Sequence, residues 1–289
     1  MDIREQLESL EPRYPELSGR VAVVTGAAKG IGQGIAFRLA AEGMRIVAPD
    51  IDGASLEVTA GMLRDRGTEV LPFHGDLSNS KEIGALFDAA IETFGSVDLL
   101  VNNAADLYRK YFLDDHEVLL DRQLATNVRS PYLCSQRAAA IMRAGNGGSI
   151  IHISSVGALR AHHRGFPYDV TKGAINALTM AMAIELGQYG IRVNAIGPGL
   201  THTYLTDALT DPDSYREAAE SVPLRRYGTP ADIAALVAFL ASSEADYVTG
   251  QVIYIDGGLT AQLGAEHPSA RRRSDIDPSA ITDKRMDTP

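Results

Sequence analysis

Tyr168 and Lys172 stand four residues apart in Tyr168-Asp169-Val170-Thr171-Lys172, at the start of a stretch with helical patterning. On a helix, positions i and i+4 share one face. A free tyrosine titrates near about 10 and is a poor base at neutral pH, but a neighbouring ammonium favours its phenolate. Such a pair could take a proton from a reacting hydroxyl and return it. Alone, that spacing is a common accident. Here it follows Asn102-Asn103-Ala104-Ala105 and Ser154-Ser155, each placed directly after a short apolar run. A serine hydroxyl beside the tyrosine could donate to an oxygen that gains charge.

A second cluster follows the chain's first apolar run: Thr25-Gly26-Ala27-Ala28-Lys29-Gly30-Ile31-Gly32. Glycines let a chain turn tightly and let its amides approach a pyrophosphate, and a helix N-terminus adds partial positive charge. The next apolar run ends at Asp50, 18 residues after Gly32. A carboxylate there can accept both ribose hydroxyls of an adenosine and repels a 2′-phosphate, which favours NAD over NADP. Lys29 argues the other way, since a base beside the phosphates could help hold NADP. Position 51 is Ile, not Arg or Lys, so NAD is the expectation.

These groups need elements to position them. Val- and Ile-rich runs predict strands over 21–24, 45–49, 70–74, 99–102, 149–153, 192–196 and 252–255. They are mostly continuous rather than alternating, as in strands buried on both faces. Helical patterns lie between them, over 31–42, 53–66, 80–94, 116–144, 168–189 and 230–240. This alternation predicts an α/β fold: a single-domain, doubly wound parallel sheet of Rossmann type, about seven strands with helices on both faces. The expected domain covers residues 19–263, with an N-terminal arm over 1–18 and a polar C-terminal tail over 264–289 that includes Arg271, Arg272 and Arg273.

Bulk properties narrow the function classes. The 289 residues are 45% hydrophobic, enough for one large core. Lys+Arg 27 against Asp+Glu 37 gives a net charge of -10, which disfavours nucleic acid as a partner. The first residues are acidic and interrupted by prolines, without the basic-then-apolar pattern of a secretory signal, and no run has the length of a membrane helix. A cytoplasmic protein is expected. The lone cysteine, Cys134, lies in an apolar helical stretch and reads as a small core residue. His162 and His163 lack the supporting ligand spacing of a metal site, and no metal is expected.

The ordered motifs resemble those of the short-chain dehydrogenase/reductase family. The resemblance runs from about Gly19 to Thr260. It rests on TGAAKGIG at 25–32, Asp76-Leu77, NNAA at 102–105, Asn127, the serine, YDVTK at 168–172, Pro198-Gly199 with Thr203, and Asp256-Gly257-Gly258. It implies hydride transfer between NAD and a carbinol/carbonyl carbon. Tyr168 would be the general acid/base, and Lys172 would bind the nicotinamide ribose and tune Tyr168. Ser155 would hold the substrate oxygen, and Asn127 a water that relays protons from Lys172. Ser155 rather than Ser154 lies at the family's usual distance, 13 residues before Tyr168. The cofactor would lie along Gly26, Lys29, Gly30, Ile31, Gly32, Asp50, Asp76, Leu77, Asn103, Ala104, Pro198, Gly199, Thr201 and Thr203. Asp76 would meet the adenine amine, and the backbone after Pro198-Gly199 the carboxamide. NNAA replaces the commoner NNAG, and the resemblance does not account for the tail.

The substrate is expected to be a small alcohol or ketone, with sugars, polyols and hydroxy acids favoured. His162, Arg164 and Tyr204 are candidate substrate contacts beside Ser155. Arg109 and Lys110 could reach the pocket rim, though exposed bases usually face water. The long segment 201–221 reads as a lid. The resemblance also implies a homotetramer, with a dimer second. Two further readings stay open: an NADPH-dependent ketone or oxoacyl reductase, and a non-catalytic dinucleotide-binding regulator.

Overall fold

The computed structural model describes residues 11–114, 116–204, 206 and 211–262. Seven strands form one sheet: β1 (Val21–Val24), β2 (Arg45–Asp50), β3 (Val70–His74), β4 (Leu99–Asn102), β5 (Gly148–Ile153), β6 (Ile191–Pro198) and β7 (Val252–Ile255). Their order is β3-β2-β1-β4-β5-β6-β7, and every pairing is parallel. All four residues of β1 and of β4 are buried, which is why these strands read as unbroken apolar runs. The order reverses direction between β1 and β4, and in such sheets ligands bind outside the carboxyl ends of the strands at that point.

The helices are α1 (Gly30–Ala41), α2 (Gly53–Arg64), α3 (Ser80–Phe94), α4 (Glu117–Leu124), α5 (Ser130–Ala144), α6 (Tyr168–Leu186), α7 (Pro212–Ser221) and α8 (Pro230–Ala241). One apolar layer joins Ile35, Phe37 and Leu39 of α1 and Leu56 of α2 to Val237 and Leu240 of α8. The other joins Ile83, Leu86 and Phe87 of α3 to Cys134, Ala138 and Met142 of α5 and Ala183 of α6. Helices therefore cover both faces, as expected. Cys134 is fully buried, and burial pushes its thiol up to about 12, so it behaves as core. Gly34 lets α1 and α8 approach closely: a Cβ there would lie 2.5 Å from Cβ of Pro230.

One feature differs from the sequence pattern, and two add detail to it. The single helix expected over 116–144 is interrupted by a π-turn, Ala125–Arg129, between α4 and α5. The described part of the arm is docked: Leu17 is buried, and the amides of Arg13 and Tyr14 donate to Oε2 of Glu42 at 2.7 and 2.9 Å. Within the expected lid, α7 packs by stacking Tyr215 on Tyr227, ring centroids 4.2 Å apart. The tail over 264–289 lies outside the described residues. No described helix is long and apolar enough to cross a membrane.

Candidate active site

A cleft of about 810 Å³ opens at the carboxyl edge of the sheet. Its nucleotide end is built mainly from backbone. Thr25, just past β1, accepts the amides of Asn103 (2.9 Å) and Ala104 (3.0 Å) on its hydroxyl. Asn103 returns its side-chain amide to the carbonyls of Thr25 (2.8 Å) and Gly26 (3.1 Å). The ends of β1 and β4 are thus laced together, and the Asn103 side chain is spent on the loop. Gly26 turns with φ +68°, in the left-handed region. A Cβ on Gly32 would lie 2.1 Å from the Gly26 carbonyl oxygen, so loop and helix touch there.

The start of α1 is open. Lys29, its N-cap, makes no side-chain capping bond, whereas α2, α3 and α8 are capped by Asp52, Asn79 and Thr229. Gly30 and Ile31 border the cleft at that end. Uncapped amides with the helix dipole behind them suit a phosphate. Asp50 is held from both sides: Oδ2 accepts the Ala28 amide and Oδ1 the Asp52 amide, each at 2.9 Å. Each carboxylate oxygen keeps a lone pair for a further donor. Lys29 is ion-paired with Asp52 at 2.8 Å, which raises the Lys29 pKa and holds the Asp52 carboxyl well below its usual range. Asp76, Leu77, Pro198, Gly199, Thr201 and Thr203 complete the wall. These open amides and this close-fitting loop suit the phosphates of a dinucleotide.

The chemical end is built from buried side chains. Tyr168 opens α6 at 5% exposure, and Lys172, one turn on, is 4% exposed. Ser155 caps a short turn, accepting the Gly157 amide at 3.0 Å, and lines the cleft together with Tyr168. Ser154 turns away, donating to Oδ1 of Asn176 at 2.6 Å. Burial raises the Tyr168 pKa, opposed by Ser155 and by the cation of Arg109. Lys172 donates to the Ile153 carbonyl at 2.7 Å, and burial lowers its pKa to about 8. Lys172 Nζ lies 5.6 Å from the Tyr168 ring centroid. Asn127 sits in the π-turn behind them, outside the cleft lining. Its Oδ1 accepts the Asp106 amide at 2.7 Å, and its Nδ2 donates to the Asp106 carbonyl (2.9 Å) and Thr171 Oγ1 (3.1 Å). π-turns recur at functional sites because they redirect backbone groups.

The substrate side differs from the sequence expectation at one residue. His162 and Tyr204 line the cleft, but Arg164 does not: its guanidinium lies over the Tyr111 ring, 4.4 Å from the centroid. Tyr111 is presented there because 106–114 packs across 160–167, joined by the Lys110 amide donating to the Phe166 carbonyl at 2.9 Å. The same contact brings Arg109 to the cleft, 4.6 Å from the Tyr168 ring centroid. His162 is fixed by Asp169, which takes its Nδ1 at 2.8 Å and its amide at 2.7 Å. Sequence reasoning assigned no role to Thr25, Asp106 or Asp169, whose partners are mostly distant in the chain. Among the described residues no cluster of His, Cys, Asp and Glu could hold a metal ion.

A seven-stranded Rossmann-type sheet with an open glycine loop, and with a serine, a tyrosine and a buried lysine lining one cleft, has the build of a dinucleotide-type α/β oxidoreductase. A family model described as Enoyl-(Acyl carrier protein) reductase matches residues 26–260. The chain is 38% identical over 253 residues to the uncharacterized oxidoreductase YxbG of Bacillus subtilis (strain 168), covering 85% of this chain and 92% of that one. It is 33% identical to glucose 1-dehydrogenase 2 of the same organism, covering 86% and 97%. A solved 7α-hydroxysteroid dehydrogenase, complexed with NADH and 7-oxo glycochenodeoxycholic acid, superposes with a TM-score of 0.81 at 33% identity, covering 87% of this chain and 96% of that one. The chain belongs to the short-chain dehydrogenase/reductase family of oxidoreductases, whose members act on CH–OH or carbonyl groups and bind NAD(P).

Proposed function

We propose that this chain is an NAD-dependent oxidoreductase that interconverts the alcohol and carbonyl forms of a small polar substrate: a sugar, a polyol or a hydroxy acid. The observation that carries the reading is that one cleft wall brings together Ser155, Tyr168 and Lys172, all nearly inaccessible, with Lys172 one turn beyond Tyr168 on the same helix. Bound along the glycine loop, a nicotinamide dinucleotide supplies the two-electron chemistry.

The amides at the start of α1 hold the pyrophosphate between Gly26, Lys29, Gly30, Ile31 and Gly32. Asp50 takes the adenosine ribose hydroxyls. Asp76 takes the adenine amine, with Leu77 beside it. Asn103 holds the loop, and Ala104 borders the cofactor's path. Pro198, Gly199, Thr201 and Thr203 face the carboxamide end. Ser155 donates to the substrate oxygen. Tyr168 removes the hydroxyl proton in oxidation and returns it in reduction. Lys172 favours the phenolate and takes part in carrying the proton away. The Asn127 side chain is occupied by Asp106 and Thr171, so its contribution to the relay is to shape the π-turn that it ties to α6. His162 and Tyr204 border the substrate.

NAD is favoured over NADP because the Asp50 carboxylate is fixed on the cleft wall, where it would repel a 2′-phosphate, while Lys29, the base that would counter it, is engaged by Asp52. The second reading, an NADPH-dependent ketone or oxoacyl reductase, rests on Lys29 leaving Asp52 for a 2′-phosphate. A homotetramer is the proposed assembly: Met180 and Ile184 of α6 are 50% and 84% exposed, and Tyr132 of α5 is 50% exposed. A cytoplasmic location is the companion proposal, supported by the buried free thiol of Cys134.

The test is absorbance of the reduced nicotinamide during a screen of sugars, polyols, hydroxy acids and secondary alcohols with NAD⁺ and NADP⁺ in parallel. Turnover with NAD⁺ supports the reading, and turnover with NADP⁺ alone transfers it to the reductase. Dinucleotide binding without turnover on any substrate class contradicts it.

A further inference from the structure

Three of the five basic side chains that line the cleft have a carboxylate within ion-pair distance. Lys29 is paired with Asp52 at 2.8 Å, Arg122 with Asp106 at 2.5 Å, and His162 with Asp169 at 2.8 Å. Lys172 donates to the Ile153 carbonyl. Asp50 and Asp76 accept backbone amides at the nucleotide end. Arg109 is different. It lines the cleft, carries a permanent charge and has no carboxylate partner among the described residues.

Its placement is built rather than incidental. The carbonyl of Tyr108, the residue before it, accepts from Nε2 of Gln123 at 2.6 Å, and Gln123 is fully buried. The amide of Lys110, the residue after it, donates to the Phe166 carbonyl at 2.9 Å. Upstream, Asp106 is held by Asn127 and itself accepts the Tyr108 amide at 2.9 Å. Arg109 is thus bracketed by fixed peptide groups, with its guanidinium 4.6 Å from the Tyr168 ring centroid. A guanidinium is a planar fork of donors matched to a carboxylate. In a chain of net charge -10, a guanidinium that rests on the Tyr168 ring and has no carboxylate partner among the described residues marks the part of the cleft suited to an anion.

We propose that Arg109 selects a substrate bearing a carboxylate one or two bonds from the reacting carbon, that is, a 2- or 3-hydroxy acid or its oxo form. This rests on the reading of the site as a dinucleotide-dependent oxidoreductase and narrows its substrate class. Arg109 would bind the carboxylate while Ser155 and Tyr168 hold the neighbouring oxygen. The short distance between Arg109 and Tyr168 sets the spacing: a carboxylate further along a chain would reach past the guanidinium.

The test uses NADH-saturated protein, with which a hydroxy acid forms a complex that cannot react further. Lactate and 3-hydroxybutyrate, each with its amide, are titrated against wild type, Arg109→Gln and Arg109→Lys, following bound-NADH fluorescence, with thermal melting to verify folding. The amides keep the size and the reacting hydroxyl but lose the charge. At least one acid is expected to bind wild type about 10-fold or more tightly than its amide, a difference of about 1.4 kcal/mol. That preference should vanish in Arg109→Gln and survive only in part in Arg109→Lys, which keeps the charge but not the fork. Equal binding of acid and amide, or a preference that persists in Arg109→Gln, overturns the inference and leaves the dinucleotide reading standing. Failure of wild type to bind NADH at all overturns both.

Discussion

The two ends of the cleft are made differently. The nucleotide end depends on main chain: a loop too tight for a Cβ at Gly32, uncapped amides at α1, and a carboxylate fixed by two peptide amides. The chemical end depends on side chains taken out of water: Tyr168, Lys172 and Ser155 are all nearly inaccessible, and behind them His152 is fully buried. The first arrangement gives shape and fixed dipoles with little titration. The second gives groups whose proton affinities are displaced by desolvation, which is what acid–base work requires. Damage to one end should therefore be felt as lost binding, and damage to the other as lost turnover or altered pH dependence.

Gly32→Ala is the sharpest way to break the nucleotide end. Its Cβ would meet the Gly26 carbonyl at 2.1 Å, forcing loop and helix apart. Overpacking of this kind costs about 1–3 kcal/mol. The NADH dissociation constant, measured by fluorescence titration, should rise about 10–100-fold. A variant binding NADH as wild type does would mean that the loop is not the binding element.

Asp50→Asn sharpens the same end with a smaller effect. The change removes the charge and leaves one amide donor facing another, since both carboxylate oxygens accept peptide amides. The ratio of kcat/KM for NAD⁺ over NADP⁺ should fall about 10-fold. An unchanged ratio would shift the discrimination to Lys29 and Asp52.

The smallest effect tests the chemical end through stability. Burial, aided by the charge of Lys172, pushes His152 down to about 3. An unfolded histidine titrates near about 6.5. Below that value the unfolded chain takes up a proton that the native protein refuses, so acid destabilises the fold, progressively down to about pH 3. Between pH 7.5 and 5.5, wild type should lose on the order of 1 kcal/mol more than His152→Gln, measured by denaturant midpoints at both values. Parallel losses in the two proteins would contradict a neutral buried imidazole.

Much of this was legible in the residues themselves. The strands announced themselves as Val/Ile runs because parallel strands are buried on both faces, and Asp50 because it ends such a run after a glycine loop. Local spacing also carried Tyr168 with Lys172. What local patterning missed depends on contacts far apart in the chain. The π-turn at Asn127 is tied to the backbone of Asp106, 21 residues away. Arg164 was one candidate substrate contact, and Arg109 a base that could reach the pocket rim or simply face water. The bridge between Lys110 and Phe166 sets Arg109 against Tyr168 and Arg164 against Tyr111. Nothing in either residue's neighbours in sequence records that bridge. The pairing of Lys29 with Asp52 was hidden in the same way, although Lys29 lies within the glycine-loop motif and Asp52 two residues after Asp50.

The central claim is that Tyr168 carries the proton while the glycine loop binds the dinucleotide independently. Tyr168→Phe removes one hydroxyl and keeps the ring. Its kcat and its NADH affinity, measured side by side on a substrate that wild type turns over with NAD⁺, test the claim most directly. The account predicts a fall in kcat of about 10²–10⁴-fold with an NADH dissociation constant close to wild type. Near-normal turnover by the variant would contradict it.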